Sequence, residues 1–198
     1  MWNRVLSYNV EKVGCDYKIT VDSLFSPPKR SKEFTNKFVY TIFSNGDLGV
    51  DCTLIKENEN LPYLPRYGFL LNPNENLFDK VKWEGFGPNE NYCDYKEAAM
   101  VGVYSKDIKD MFYEYVSPQE NGERCGVSHL SLFGKNGEKL SVYANGDFFS
   151  FKVNDFIGKD LLKARHITDL KRGETLELAI DGYFSGVGSN SCGPDLPE

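Results

Sequence analysis

An all-β fold, with two large antiparallel sheets packed face to face as a sandwich, is predicted by three features of the 198-residue chain. The composition favours strands, with 14 Phe, 12 Tyr and 2 Trp and no Ala-rich helical runs. Three Asn-Gly pairs, Asn45-Gly46, Asn136-Gly137 and Asn145-Gly146, sit between β-rich runs, the strongest short signal for a hairpin. Apolar and polar residues also alternate, the period of a half-buried strand. Many strands in one chain must close or stack, because open edges carry unpaired backbone groups, and stacking gives the sandwich.

Taken in order, Tyr17-Lys18-Ile19-Thr20-Val21 alternates and reads as the first clear strand. The runs 38–43 and 48–55 flank Asn45-Gly46-Asp47 and form a hairpin. Segments 26–30 and 72–76 are rich in Pro, Asn and charge and read as loops. A strand ends near Trp83, after which Gly85, Gly87 and Pro88 impose a tight bend. Residues 104–112 fit a strand or a helix equally. The runs 130–133 and 140–143 pair across Asn136-Gly137, and Asn145-Gly146-Asp147 leads into 148–153, so the three turns make a meander. Asn154 or Asp155 is placed to cap a short helix through Leu162, and 175–180 is a further half-buried strand.

Length and charge set the class. A chain of 198 residues fits one domain, 1–198, and buries about 70% of the surface its unfolded form exposes. The net charge of −6 without a basic tract argues against a nucleic-acid or anionic-membrane partner. No apolar run approaches the roughly 18 residues of a membrane span, and nothing at the N-terminus marks export. Five scattered cysteines without a C-x-x-C, and only His129 and His166, make no zinc pattern; the expectation is no metal and a reducing cytoplasm.

The segment from Trp83 to Asp94 places Glu90, Asn91, Tyr92 and Asp94 along one loop, a set that can bind a ligand or hold the loop together. A retaining glycosidase needs two carboxylates about 5–5.5 Å apart. Glu90 with Asp94, or Glu120, are candidates among 29 acidic residues, but nothing in their spacing makes a pair, and independent hydrolysis is not expected. The glycine-rich stretch 186–194 lacks the strand-to-helix setting of a phosphate loop and reads from its residues as a flexible chain end.

Gly87-Pro88, then Glu90-Asn91-Tyr92 and Asp94, resembles the Gly-Arg-Gly-Pro-x-Glu-Asn-Tyr-x-Asp-Arg block in the C-terminal domain of glycoside hydrolase family two β-galactosidases, a domain some bacteria make as a separate small subunit. Phe86 and Tyr95 stand where that block has arginines. Pro118-Gln119-Glu120-Asn121-Gly122 with Arg124 is similar to a second block, and Leu64-Pro65-Arg66-Tyr67-Gly68 and Ala164-Arg165-His166 are weaker matches. The family's opening Arg-Ala-Pro-Thr-Asp-Asn block and its closing strand are missing, which suggests a fragment lacking parts of both ends.

The resemblance implies a mutarotase-like supersandwich with few short helices and no catalytic glutamates, since those lie in a central barrel domain. It implies that the glycine-rich loop reaches the active-site mouth, with Asp181, Gly186, Gly188 and Cys192 as the residues expected to contact a galactoside. Cys192 stands where a tryptophan often forms a sugar platform, so acceptor binding is expected to be looser. Glu90, Asn91, Tyr92 and Asp94 are expected to contact carbohydrate or a neighbouring domain. The implied partner is the catalytic large subunit or the preceding domains, with homo-oligomers a further expectation. Magnesium and a monovalent cation are left to the catalytic domain, with no cofactor in this chain. Two other readings are a stand-alone carbohydrate-binding module using exposed aromatics near Asn91 and Tyr92, and, more remotely, a mutarotase-like epimerase using His129 and His166.

Overall fold

The computed structural model describes residues 2–26, 33–61 and 64–186. The sequence reading takes 1–198 as one domain; the chain divides into two compact units, Met1–Tyr63 and Leu64–Glu198. Both are all-β.

The first unit is one antiparallel meander of β1 (Trp2–Val13), β2 (Asp16–Ser26), β3 (Phe34–Ile42) and β4 (Leu48–Lys56) in that order. Its register aligns Tyr8, Val21, Phe38 and Cys52 in one row and Val10, Ile19, Tyr40 and Val50 in the next. With a side-chain period of two, these rows share a face, and Lys18, Asp22, Lys37 and Asp51 lie on the other. The β3–β4 connection is the expected one: Gly46 N–H donates to Phe43 O and Phe43 N–H to Asp47 O, both at 2.9 Å, with Gly46 at φ +94°. That is a five-residue loop whose tight turn is closed by a left-handed glycine. Strand β1 is not marked in the sequence because Lys12 interrupts the Tyr8 and Val10 face, the register shifts between Val5 and Ser7, and its turn, Gly14-Cys15, is not an Asn-Gly pair.

The second unit is a sandwich. It contains β5 (Arg66–Leu71), β6 (Lys80–Gly87), β7 (Met100–Asp107), β8 (Arg124–Val127), β9 (His129–Phe133), β10 (Lys139–Tyr143), β11 (Phe149–Asn154) and β12 (Glu177–Phe184). One antiparallel sheet runs β10-β9-β6-β7, the other β5-β12-β11-β8. Val81, Trp83, Leu130 and Leu132 of the first meet Val127, Phe151, Val153 and Leu178 of the second in one buried core. Each such side chain contributes roughly 1.5–3 kcal/mol through apolar burial. Trp83 is the keystone: its ring meets Phe151 edge-on at 5.7 Å, and its Nε1–H donates to Phe86 O at 2.9 Å. Phe112, Phe156 and Leu170 make a smaller cluster.

Four local expectations change. Asn145-Gly146 is not a hairpin turn, because β10 and β11 belong to opposite sheets and the chain crosses between them there, with Gly146 at φ +113°. The strand through Trp83 continues to Gly87, and its glycines serve close packing rather than a bend. A Cβ on Gly85 would lie 2.9 Å from Gly126 O, and one on Gly87 2.6 Å from the Tyr104 ring; the turn comes after them, at Pro88. Residues 104–112 are the end of β7 followed by a 3-10 turn, Ile108–Asp110. The helix expected from Asn154 is only the 3-10 turn Gly158–Leu162, because Asn154 is the last, buried residue of β11, paired with Glu177.

Candidate functional site

The polar blocks of the sequence meet at one end of the sandwich. After Pro88 the loop is held by two side chains that act as substitutes for peptide groups. Asn91 accepts from Cys125 N–H at 2.9 Å through Oδ1 and donates to Asn89 O at 2.9 Å, while its own N–H bonds Glu123 O. Asn121 does the same for the facing loop, accepting from Tyr113 N–H at 2.8 Å and donating to the Tyr113 and Gln119 carbonyls. An asparagine amide carries one donor edge and one acceptor edge, like a peptide, which is why it suits both places. Glu90 ties the loops together: Oε2 accepts from Gly122 N–H at 2.8 Å and Oε1 from the Tyr115 hydroxyl.

Beneath these loops lies a cluster of charges. Arg66, at the start of β5, reaches Glu120, Glu123 Oε2 at 3.4 Å and Asp181 Oδ2 at 3.1 Å, and Lys152 of β11 reaches Glu120 at 2.9 Å. The Arg66–Asp181 contact is an ion pair without hydrogen-bond alignment, so both atoms, with Glu123 Oε1, lack a hydrogen-bond partner. Three carboxylates thus face two cations, and Glu123, Lys152 and Asp181 are buried. Burial, reinforced by Asp181, pushes the Glu123 carboxyl up to about 8 despite Arg66 and Lys152. Burial likewise pushes Asp181 up to about 6 against the pull of Arg66 and Lys152. Burial also raises Glu120, but Lys152 and Arg66 more than offset it and hold that carboxyl below its ordinary value. The excess negative charge is therefore neutralised by a proton on Glu123 near neutral pH.

The same cluster holds the end of β12. The Arg66 guanidinium lies 4.4 Å from the Phe184 ring centre, and Tyr92 packs on that ring at 5.5 Å. Cys93 Sγ donates to Phe184 O at 3.1 Å, and Ser185 donates to Pro65 O through N–H at 2.9 Å and Oγ at 3.1 Å. Gly186, at φ +103°, lies so close to the Asp94 carboxylate that a Cβ would overlap it. Arg124 completes the floor: it is fully buried, donates to Met111 O at 3.1 Å and sits 5.7 Å from the Trp83 ring centre.

A model of the family described as beta galactosidase small chain matches residues 3–198. The chain is 35% identical to a β-galactosidase of Actinobacillus pleuropneumoniae over 91% of its own length and 17% of that protein. It is 35% identical to one of Kluyveromyces lactis over 89% of its length and 17% of that protein. For one of Alteromonas mediterranea the identity is 33%, over 96% of this chain and 18% of that protein. The chain belongs to the β-galactosidase small-chain family. It spans about a sixth of the length of these relatives.

Within this small-chain sequence, the residues singled out above fall in different places. Asp181 is buried in the charge cluster, and Gly186 is packed on Asp94; Gly188 and Cys192 lie outside the described residues. Asn91 and Tyr92 are turned inward, 1% and 5% exposed, whereas Glu90 is half-buried and Asp94 exposed. His129 stacks on Tyr143 at 4.4 Å and bonds Ser131 Oγ at 2.9 Å. His166 opens a 3-10 turn, its N–H donating to Asp169 Oδ2 at 3.0 Å. A cavity of about 290 Å³ bordered by Phe78, Asp79, Ile108 and Leu176 shares no residue with the loops. Among the described residues, no group of three or more His, Cys, Asp or Glu side chains is arranged to hold a metal ion.

The sequence reading missed Glu123 and Lys152 and undervalued Arg66. One signal was available: Lys152 interrupts the apolar run Phe148-Phe149-Ser150-Phe151-Lys152-Val153. A cation flanked by core residues in a strand needs a carboxylate partner, and Glu120, 32 positions earlier in the Pro-Gln-Glu-Asn-Gly block, is the one it meets.

Proposed function

We propose that this chain is the non-catalytic C-terminal domain or small subunit of a β-galactosidase, completing the mouth of an active site whose catalytic glutamates lie on a separate domain that hydrolyses terminal β-D-galactosides. The observation that carries this reading is the convergence of the Pro65-Arg66, Glu90-Asn91-Tyr92 and Glu120-Asn121-Gly122 blocks on the end of β12, where the segment with Gly188 and Cys192 begins. Cation–π stacking, an ion-pair cluster and four hydrogen bonds or close contacts fix the end of β12, from which that segment leads. In this reading Asp181 acts through Arg66, and Gly186, Gly188 and Cys192 belong to the part that approaches the galactoside.

The engaged state of the carboxylates supports a non-catalytic role. Glu90 uses both oxygens to join loops, and Glu120, Glu123 and Asp181 face Arg66 and Lys152, an arrangement for holding structure rather than for an acid and a nucleophile across a sugar. Magnesium and a monovalent cation belong, in this reading, to the catalytic domain. The thiols Cys15, Cys52, Cys93 and Cys125, all free, suit a reducing cytoplasm, and no described helix is long and apolar enough to cross a membrane.

The test is hydrolysis of an aryl galactoside and of lactose by the chain alone and mixed with its cognate catalytic polypeptide, with complex formation followed in parallel. Activity is expected in the mixture and not in the chain alone. Hydrolysis by the purified chain would overturn the reading.

A further inference from the structure

At the end of the sandwich where the loops meet, the side-chain polar groups of Glu90, Asn91, Asn121, Tyr113 and Tyr115 are engaged within the chain, and several apolar groups face outward. The Tyr115 hydroxyl donates to Glu90, and the Tyr113 hydroxyl to Asn89 Oδ1 at 3.0 Å. The amides of Asn91 and Asn121 are turned inward to backbone groups. Exposed there are Val116, 98% exposed, Tyr95, 63% exposed, and the ring of Tyr115, with Tyr113 at 6.3 Å from it, while Glu114, Ser117 and Gln119 of the same loop add an exposed polar border. Each tyrosine anchored by its hydroxyl offers its ring in a fixed orientation, at little further entropy cost on association.

This composition discriminates between ligands. A sugar site combines an aromatic face with converging free donors and acceptors, and here the groups beside the rings, those of Glu90, Asn91 and Asn121 and the two hydroxyls, are already paired inside the loops. Fixed aromatic rings next to an exposed aliphatic side chain, within a polar border, are instead what a protein interface contains. The occupant follows from proportion and place. In the A. pleuropneumoniae relative the matching segment is 17% of the chain, so the rest of a far longer protein must lie against it somewhere. The same loops also brace the root of the segment after β12, through Cys93 and Asp94.

We propose that Tyr95, Tyr113, Tyr115 and Val116 form the surface on which the catalytic portion of β-galactosidase docks. The proposal rests on the function proposed above and adds the location of the contact. A lysine at position 116 would carry its charge into the apolar centre of that interface, where it has no partner.

The experiment titrates the full chain with its cognate catalytic polypeptide by biolayer interferometry, comparing wild type with Val116→Lys, Tyr95→Ala and Leu162→Lys. Leu162 is 89% exposed on a different loop and serves as the matched control. Circular dichroism and melting temperature establish that each variant is folded; none of the three side chains is buried. Val116→Lys and Tyr95→Ala are expected to raise Kd about tenfold or more, with Leu162→Lys unchanged. Wild type that binds, with both patch variants binding equally well, overturns the docking surface alone. Wild type that does not bind overturns the proposed function and this inference with it. Saturable binding of galactose or lactose to the isolated chain, lost in Tyr95→Ala, would assign the patch to a sugar and overturn the docking surface.

Discussion

Glu123 combines three properties seldom found in one glutamate: it is almost fully buried, one of its oxygens lacks a hydrogen-bond partner, and its neighbours include two other carboxylates. Its carboxyl titrates at about 8 in the folded chain against 4.5 ordinarily, so the folded state keeps a proton that the unfolded state has released. The contribution of that proton is complete below about pH 4.5 and is lost as pH rises toward 8; Asp181, pushed up to about 6, adds to the same slope. Glu123→Gln, which cannot ionise, is expected to be more stable than wild type at pH 9 by on the order of 2 kcal/mol and to match it near pH 5. Urea denaturation at both pH values checks this, and a pH-independent difference would contradict it. Its displaced titration cannot be read from its own neighbours in sequence, for a physical reason. Its chemistry depends on Arg66 and Asp181, which are far away along the chain and close only after β5 and β12 pair.

At the scale of elements, Lys152 joins the strands of one sheet to the loop carrying Glu120. Replacing it with methionine keeps most of its apolar stem but leaves three carboxylates facing Arg66 alone. Lys152→Met is expected to cost about 3 kcal/mol, the order found when one partner of a buried pair is removed. At pH 9, where the Glu123 carboxyl has lost its proton, the cost should fall by about 1 kcal/mol or more in the Glu123→Gln background, because one of the uncompensated carboxylates is gone. Urea unfolding of the two single variants and the double variant measures the coupling, and strict additivity would sink the shared-charge account. Legibility at this scale divides by the range of the interaction. The hairpins at Gly46 and Gly137 depend on turn chemistry within a few residues and were readable. The crossing at Gly146 carries the same local signal, yet there the choice is made by which sheet buries Phe149, Phe151 and Val153, a decision that lies outside the turn. The glycines of β6 were read as a bend for the same reason, since the strands that crowd them are distant in sequence.

For the whole molecule, the two units differ in how much apolar surface they bury. Among the described residues, Phe34 is the buried hydrophobic side chain of the first unit, whereas the second has Trp83, Met111, Leu130, Phe151 and Leu178 among many. Backbone amides of β6, β9, β11 and β12 are therefore expected to exchange with deuterium at least about a hundredfold more slowly than those of β1 and β4, because opening them requires loss of a packed core. Hydrogen–deuterium exchange of the free chain tests this; equal protection across both units would show that the first gains stability from a source other than its own core. The sandwich and its family were readable from patterning and from the Glu-Asn blocks, while strand signals run without a break in composition across the point, Tyr63–Leu64, where the two compact units meet in sequence. The bracing of the loops by Glu90 has a kinetic consequence. A surface whose rings are already clamped needs no folding step after collision, so encounter with a partner is governed by diffusion and orientation, and differences in affinity among variants would be written mainly in how long the complex lasts.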